Sequence, residues 1–225
     1  SAPISCGTLA SPTACSVQVG GQVEYVFSNF TLGLGNGYTA ADVGISVGTG
    51  GGLTGLIEFT KVASPAGVVF LANPGDSSGI SFQYDLQINA LQPGTVALEE
   101  PATVQIASSS ATGTGFSTVQ MIVSFNNVGE SCLAIRNPGG VTPDDCLLPP
   151  GTTDTVTTGN IMSLSGGTSG NTSIGTFRNL YRATFTPESN GGGGGDTGAV
   201  PEPSTWALMG AGLGLLGWRG SRRRR

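Results

Sequence analysis

The residues best suited to chemistry in this 225-residue chain are two pairs of adjacent carboxylates. Glu99 and Glu100 are neighbours, and so are Asp144 and Asp145. Paired carboxylates are what a glycoside hydrolase needs, one as acid and the other as base or nucleophile. Adjacent side chains in a strand point to opposite faces, so each pair needs a further acid from elsewhere in the fold. The spacing alone therefore does not predict a hydrolase.

The other common sets of catalytic residues are incomplete in this chain. The sequence contains no histidine, which excludes Ser-His-Asp and Cys-His catalysis and the usual zinc enzymes. Lys61 is the only lysine, and Ser64 follows it in the reverse of the Ser-x-x-Lys order, so we interpret Lys61 as a solvated side chain. Asp76 lies in no EF-hand pattern, and we interpret it as a turn residue. We expect no enzyme activity, no metal and no cofactor.

Four cysteines form two close pairs along the chain. Four cysteines allow three disulfide pairings. Both intervals are rich in turn residues, so pairing within each interval strains the chain least. We predict the disulfides Cys6–Cys15 and Cys132–Cys146, each worth roughly 2.5–3 kcal/mol on the loop-entropy model, in an oxidising compartment. A tetrahedral zinc site is the alternative, but the chain has neither a Cys-x-x-Cys motif nor histidine.

The composition is typical of a secreted bacterial β-protein. Charged residues make up 10% of the chain, against about 25% in an average domain, and glycine supplies 38 of the 225 residues. The surface must therefore consist largely of hydroxyl, amide and bare backbone groups. Four basic and all 14 acidic side chains precede residue 204, so that part of the chain carries a net charge of −10. This charge provides no basic surface for nucleic acid and is repelled by anionic lipid.

The elements that must position these residues are short strands. The clearest strand covers residues 80–89, where apolar and polar side chains alternate without error. Its apolar positions are Ile80, Phe82, Tyr84, Leu86 and Ile88. The same period is present at 23–27, 119–125 and 177–185. A change of phase after residue 27 predicts a bulge near Ser28 and Asn29.

Weaker strand patterns fill much of the remaining chain. They lie at 43–47, 56–60, 68–72, 96–98, 104–107, 132–136 and 161–164. About ten strands with short connections, and no helical period outside the C-terminal tail, predict an all-β antiparallel β-sandwich. Glycine runs at 48–52 and 166–170 predict exposed hairpin loops.

The domain organisation follows the composition. We predict a β-sandwich domain at 1–188, a Gly-rich linker at 189–199 and a separate tail at 200–225. A linker of this length averages about 15–20 Å, which keeps the domain close to whatever holds the tail. The chain begins Ser1-Ala2-Pro3 without methionine, which we interpret as the result of signal-peptide removal, although a truncated chain has the same appearance.

The tail has three parts in order. Pro201, Glu202 and Pro203 come first, then an uncharged apolar run at 206–218, then arginines. As a helix the 13-residue run spans roughly 20 Å, short of the ~30 Å hydrocarbon core of a bilayer. We predict a short C-terminal transmembrane helix whose two tryptophans suit the two membrane interfaces. Its large side chains are Trp206, Leu208, Leu213, Leu215, Leu216 and Trp218.

The arginines set the expected orientation of this helix. They are Arg219, Arg222, Arg223, Arg224 and Arg225. They favour the cytoplasmic side, so the β domain is expected outside the inner membrane. The two prolines exclude regular helix just outside the membrane and leave extended backbone that a protease can bind. The alternatives are an ordinary tail anchor, in which the prolines only stop the helix, and a basic tail, which does not explain the apolar run.

This order of proline motif, apolar run and arginines resembles the PEP-CTERM sorting signal of exported bacterial proteins. A second likeness lies near the N-terminus. Cys6-Gly7-Thr8-Leu9, Cys15-Ser16 and Phe27-Ser28-Asn29-Phe30 are similar to the short cysteine pair and Phe-Ser-Asn-Phe motif that open many PEP-CTERM proteins. The two likenesses cover about residues 6–34 and 200–225. Asn29 also begins a glycosylation sequon, but packing and a turn bond explain it more economically.

The resemblance implies a substrate of exosortase, a membrane cysteine protease, with Pro201, Glu202 and Pro203 as the recognition element. It implies export in a Gram-negative-type bacterium that makes extracellular polysaccharide. The chain would be anchored transiently in the inner membrane and then released to the cell surface or extracellular matrix. The apolar run is shorter than expected for the family, which puts the efficiency of cutting in question.

A sorting signal does not supply a biochemical activity. We expect a non-enzymatic surface or matrix protein associated with exopolysaccharide in a biofilm, and no nucleic-acid partner. One alternative is a carbohydrate-binding or glycan-active secreted domain, although most of the nine Phe and four Tyr are expected to be buried and both Trp lie in the tail. The other is a self-assembling fibre subunit that stacks through Gly/Ser/Thr-rich edge strands.

Overall fold

Strands make up most of the molecule that the computed structural model describes, which is residues 3–13, 15–62 and 69–188. The described residues contain fifteen strands and one short 3-10 helix, Ala40–Asp42. The strands are β1 (Ile4–Thr8), β2 (Ser11–Pro12), β3 (Cys15–Val19), β4 (Val23–Asn36), β5 (Val43–Thr49), β6 (Thr54–Lys61), β7 (Phe70–Ala72), β8 (Ser77–Ala90), β9 (Gly94–Ala111), β10 (Phe116–Phe125), β11 (Val128–Asn137), β12 (Gly140–Thr142), β13 (Asp144–Cys146), β14 (Thr155–Ser165) and β15 (Thr172–Pro187).

The strands form two sheets, and each pairing between them is antiparallel. The eight-stranded sheet has the order β13-β9-β15-β6-β5-β1-β2, with β7 also beside β15. The seven-stranded sheet has the order β12-β11-β10-β14-β8-β4-β3. The predicted antiparallel β-sandwich is therefore confirmed. The predicted C-terminal helix lies outside the described residues.

The strands are more numerous than the ten predicted, and they also differ in length. The predicted runs 96–98 and 104–107 are parts of the single strand β9. Strands β2, β12 and β13 have only two or three residues, too few to show an alternating pattern. Strands β1 and β3 flank the turn-rich interval between the first two cysteines, where the turn signals obscured them.

Strand β8 shows the predicted alternation along the run 80–89. Its five predicted apolar positions are buried, whereas Gln83 and Gln87 on the opposite face are exposed. The predicted bulge is also present, because the register of β4 against β8 shifts between Ser28 and Thr31. Asn29 occupies the bulge with a φ of 54°, a left-handed conformation that asparagine tolerates better than most residues.

A cluster of hydrogen-bonded polar side chains lies between the sheets in a mostly apolar core. The Tyr84 and Tyr181 hydroxyls are 2.7 Å apart, and Thr158 Oγ1 lies 2.7 Å from the Tyr181 hydroxyl. Asn179 Nδ2 donates to the Tyr84 hydroxyl and to Asn160 Oδ1, at 2.8 Å in both cases. All five residues are at most 1% exposed. Since buried polar groups are costly unless paired, this cluster favours one alignment of the two sheets.

Both predicted disulfides are present, and each joins one sheet to the other. Cys6 of β1 pairs with Cys15 of β3, with Cα atoms 5.5 Å apart. Cys132 of β11 pairs with Cys146 of β13, with Cα atoms 5.0 Å apart. The first pair lies at the β1/β3 side of the sandwich and the second at the β11/β13 side. The two disulfides therefore link the two sheets covalently at both open sides of the sandwich.

One of the two predicted glycine hairpins is wrong. The run 48–52 does connect the paired strands β5 and β6. The run 166–170 instead crosses from β14 in one sheet to β15 in the other, and Gly166 and Gly170 are buried. A Cβ on Gly166 would lie 1.9 Å from the Asn73 carbonyl oxygen, and one on Gly170 would lie 1.8 Å from that of Thr112. These glycines allow the crossover to pack against two other turns.

The residues up to Glu188 form one unit. The predicted linker and the three-part tail fall outside the described residues, so their boundaries stay predictions. Within residues 3–13, 15–62 and 69–188, no helix has the length and apolar character needed to span a bilayer.

Candidate functional site

A groove runs along β8 and β14 on the solvent-facing side of the seven-stranded sheet. The register places Ser28, Asp85, Thr157 and Ser124 in one row across β4, β8, β14 and β10. The next row contains Thr31, Gln83, Gly159 and Ile122 on the same four strands. We call the hollow over Gln83, Asp85, Gln87, Thr155, Thr157 and Gly159 the outer groove.

Gly159 leaves open space at one end of the groove. It lies between Gln83 and Ile122 in its row and has no side chain to fill the space between theirs. The hollow there measures about 370 Å³, and a second hollow of about 330 Å³ adjoins Asp85 and Thr157. A Cβ on Gly159 would meet only Ile122, at 3.9 Å or more, so larger residues are sterically tolerated. A larger residue at position 159 would therefore occupy part of this space.

The carboxylate of Asp85 is held in place in the groove. Its Oδ2 accepts a hydrogen bond of 2.8 Å from Asn29 Nδ2, and its Oδ1 accepts one of 2.6 Å from Thr157 Oγ1. Asn29 reaches Asp85 because the bulge in β4 turns its backbone. The packing and turn bond expected for Asn29 do not include this contact between the neighbouring strands β4 and β8.

Other polar side chains in and beside the groove have free hydrogen-bonding capacity. Gln83 and Gln87 lie along β8, and Asn126 and Asn127 form the turn between β10 and β11. All four are exposed, and in the described part of the chain their amides bond to no protein group. Each amide carries both donors and an acceptor. The groove can therefore bind a partner that is rich in hydroxyl groups.

The carboxylate pairs singled out in the sequence lie on β9 and its edge partner β13, where each carboxylate takes part in a hydrogen bond or an ion pair. Asp144 accepts a hydrogen bond from the Leu133 backbone N–H, and Asp145 accepts one from the Thr103 hydroxyl. Their strand partners are in β9, at Val104 and Thr103. These bonds fasten the short edge strand β13.

The other carboxylate pair is also occupied by local contacts. Glu99 lies 3.9 Å from the Arg182 guanidinium, and Glu100 accepts a hydrogen bond of 3.3 Å from the Leu148 backbone N–H. Among the described residues, no cluster of three or more His, Cys, Asp or Glu has metal-binding geometry. Asp76 closes a turn by donating its backbone N–H to the Asn73 carbonyl, as the turn interpretation expects.

The interpretation of Lys61 as a solvated side chain is wrong. Its ammonium pairs with the Asp42 carboxylate, and the lysine side chain is only 12% exposed. The Lys61 hydrogen bond, with further bonds from Thr39, lowers the pKa of Asp42 to about 2. The pair ties the 3-10 helix to the end of β6. No local sequence pattern indicates this ion pair, because 19 residues separate the two partners.

The comparisons with known proteins bear on the tail. Residues 199–225 match the family model of the PEP-CTERM protein-sorting motif. The C-terminal segment is a PEP-CTERM sorting motif. A PEP-CTERM motif marks an exported protein that a C-terminal anchor holds transiently at a membrane and that exosortase processes. No curated protein matches the chain.

The PEP-CTERM match covers the tail and leaves the β domain without an assigned activity. Pro201, Glu202 and Pro203 lie within the matched range, together with the apolar run and the arginines. The role of each of these residues in recognition, anchoring or orientation stays a prediction. The N-terminal cysteine pair and the Phe-Ser-Asn-Phe motif lie outside the match.

Proposed function

We propose that this PEP-CTERM protein is a non-enzymatic component of the cell surface or extracellular matrix that associates with exopolysaccharide. The observation that carries the proposal is the sorting motif at 199–225, which is typical of exported proteins that exosortase processes. The domain delivered by this route is a rigid β-sandwich with two inter-sheet disulfides, which suits an oxidising environment.

The proposal that the domain is not an enzyme is supported by the occupied carboxylates. Glu99, Glu100, Asp144 and Asp145 each accept a bond or ion pair within the fold. The proposal of an exopolysaccharide partner is supported by the outer groove, whose lining combines hydroxyl and amide groups with apolar side chains.

Fibre assembly through edge strands is less well supported. Three of the four terminal strands, β2, β12 and β13, have two or three residues each, and the fourth, β3, has five. Short edges provide few unpaired backbone groups for a second chain. A sharp monomer in sedimentation at high protein concentration is the expected result.

Processing by exosortase is tested in an exosortase-containing bacterium that expresses the chain. Replacing the motif residue Glu202→Ala should leave the protein in the membrane fraction with its arginines attached, whereas Gly193→Ala in the predicted linker should be released normally. Intact mass spectrometry of the released protein locates the new C-terminus. Normal release and trimming of the Glu202→Ala protein would contradict the assigned role of the motif.

Association with the extracellular matrix is tested by fractionating the same cultures into medium, cell-bound and polysaccharide-rich matrix pools. The processed protein should be enriched in the matrix pool and should enter the medium when polysaccharide synthesis is disrupted. Incubation with the isolated polysaccharide should produce no new reducing ends. A protein that stays in the medium in both strains, or that generates reducing ends, overturns the proposal.

A further inference from the structure

We propose that the outer groove is a binding site for an uncharged polysaccharide chain lying along strands β8 and β14. This inference rests on the proposed function, since it names the chemistry of the exopolysaccharide partner and the residues that contact it.

The shape of the groove fits an extended polymer. Along β8 it runs from Gln83 to Gln87, and along β14 from Gly159 to Thr155. The adjoining positions Ser81 and Ile161 extend the same hollow by one row. Three steps of two residues give a length of roughly 20 Å, which accommodates several sugar units and is open at both ends. The groove follows the direction of β8 and β14, which suits an extended chain.

The lining matches the two kinds of surface that a sugar ring presents. Gln83, Gln87 and the Asn126 amide supply donors and acceptors for hydroxyl groups. Ile122 and Ile161 supply apolar contact for the C–H surface of a ring, and Ile161 is 40% exposed. The two kinds of group lie side by side because polar and apolar residues share the outer face of β8, β14 and β10.

The charge of the groove favours an uncharged partner over an anionic one. Among the described residues that line the groove, Asp85 is the one ionisable side chain, and both of its carboxylate oxygens already accept hydrogen bonds from Asn29 and Thr157. No Lys or Arg of the described residues lines the groove to offset a polyanion. The net charge of −10 up to residue 203 adds further repulsion.

The groove is also preorganised. Its floor is formed by central strands of the sheet, and Asn29 and Thr157 fix the Asp85 side chain from two sides. The Asp85 side chain therefore loses little entropy when a ligand binds beside it.

The test uses the exosortase-processed protein in native gels that contain one soluble polysaccharide at a time. The probes are the uncharged polymers dextran, hydroxyethylcellulose, galactomannan and xyloglucan, the anionic polymer alginate and the cationic polymer chitosan. At least one uncharged polymer should retard the protein, with little dependence on salt. Gly159→Val, which fills the hollow, and Gln83→Ala should each weaken that binding about tenfold, the loss expected for a buried contact of about 1.4 kcal/mol.

Matched controls lie on the same sheet outside the groove. Ser163→Val adds a similar side chain on β14, and Gln18→Ala removes an exposed amide on β3; both should bind as the unaltered protein does. Urea denaturation checks that each variant is folded.

Three outcomes overturn the inference: no retardation by any uncharged polymer, binding confined to alginate or chitosan, or equal affinity of groove and control variants. Fractionation separates this failure from failure of the proposed function. If the Gly159→Val protein stays in the matrix pool with the unaltered protein, the groove is not the site but the matrix role stands. If the unaltered protein does not enter that pool, the proposed function fails.

Discussion

Tyr84 of one sheet and Tyr181 of the other meet at the centre of the sandwich, with their hydroxyl oxygens 2.7 Å apart. They are 97 residues apart in the chain and are at most 1% exposed. Thr158 and Asn179 complete their hydrogen bonds. Three of these four side chains lie on β14 or β15, the strands that the buried crossover connects.

Removing one hydroxyl from this cluster should be costly. Tyr181→Phe leaves the Tyr84 and Thr158 hydroxyls short of a partner where water does not reach, so the free energy of unfolding should fall by about 1–3 kcal/mol. Urea denaturation of the processed protein measures the loss. Tyr38→Phe is the matched control, because the Tyr38 hydroxyl bonds Leu71 at an exposed site where water can replace it. Equal losses in the two variants would contradict the argument.

The same tyrosines predict alkaline unfolding. Burial raises the pKa of Tyr84 to about 12 and that of Tyr181 well above 10. The folded state therefore holds protons that the unfolded state releases, so stability is complete below pH 10 and is lost as the pH rises toward 12. Urea midpoints at pH 8, 10 and 11 should fall less steeply in a Tyr84→Phe/Tyr181→Phe variant. Part of the slope should remain, because burial also raises the pKa of Tyr25. Parallel curves for the two proteins would refute the assignment.

The Asp42–Lys61 pair predicts a loss of stability in acid. The pKa of Asp42 is lowered from 3.8 to about 2, so its contribution is present above pH 3.8 and is lost as the pH falls toward 2. Asp42 is partly exposed, and solvent screening limits the effect to about 1 kcal/mol at neutral pH. Asp42→Asn, Lys61→Met and the double variant form the cycle to be measured by denaturation at pH 6 and pH 2.5. The pair predicts a coupling energy that is smaller at pH 2.5 than at pH 6, because acid begins to protonate Asp42; a coupling unchanged by acid would count against it.

The two disulfides should contribute separately. Replacing Cys6 and Cys15 by Ala, or Cys132 and Cys146 by Ala, should each lower the free energy of unfolding by about 2.5–3 kcal/mol. All four cysteines are at most 4% exposed, so a reductant should reach them only when the chain unfolds. Thiol trapping alongside circular dichroism follows both events. Rapid reduction of a protein that keeps its native spectrum would show that the sulfurs are accessible.

The crossover between the sheets should tolerate no side chain at Gly170. Gly170→Ala places a Cβ 1.8 Å from the Thr112 carbonyl oxygen and also close to the Gly115 backbone, so a loss of more than about 2 kcal/mol is expected. Gly51 lies in the β5–β6 hairpin with open space around it, and Gly51→Ala should change stability by less than about 1 kcal/mol. Thermal and urea unfolding of both variants provide the comparison. A Gly170→Ala protein as stable as Gly51→Ala would mean that the crossover can shift.

Features set by neighbouring residues could be predicted from the chain alone. The alternation along β8, the bulge at Asn29 and the two disulfides all depend on spacings of a few residues, and the tail was identified by the order of its three parts. Period, short loop closure and hydrophobicity are local properties, so a linear sequence displays them directly.

The remaining features required the register of distant strands. Asn29 contacts Asp85 across 56 residues, and Gly159 makes a hollow only because Gln83 and Ile122 flank it in neighbouring strands. That each disulfide joins the two sheets was likewise invisible in the spacing of the cysteines. The register of two strands depends on how the buried faces of the sheets pack together. This packing involves residues from the whole core, so no single segment of the sequence determines it.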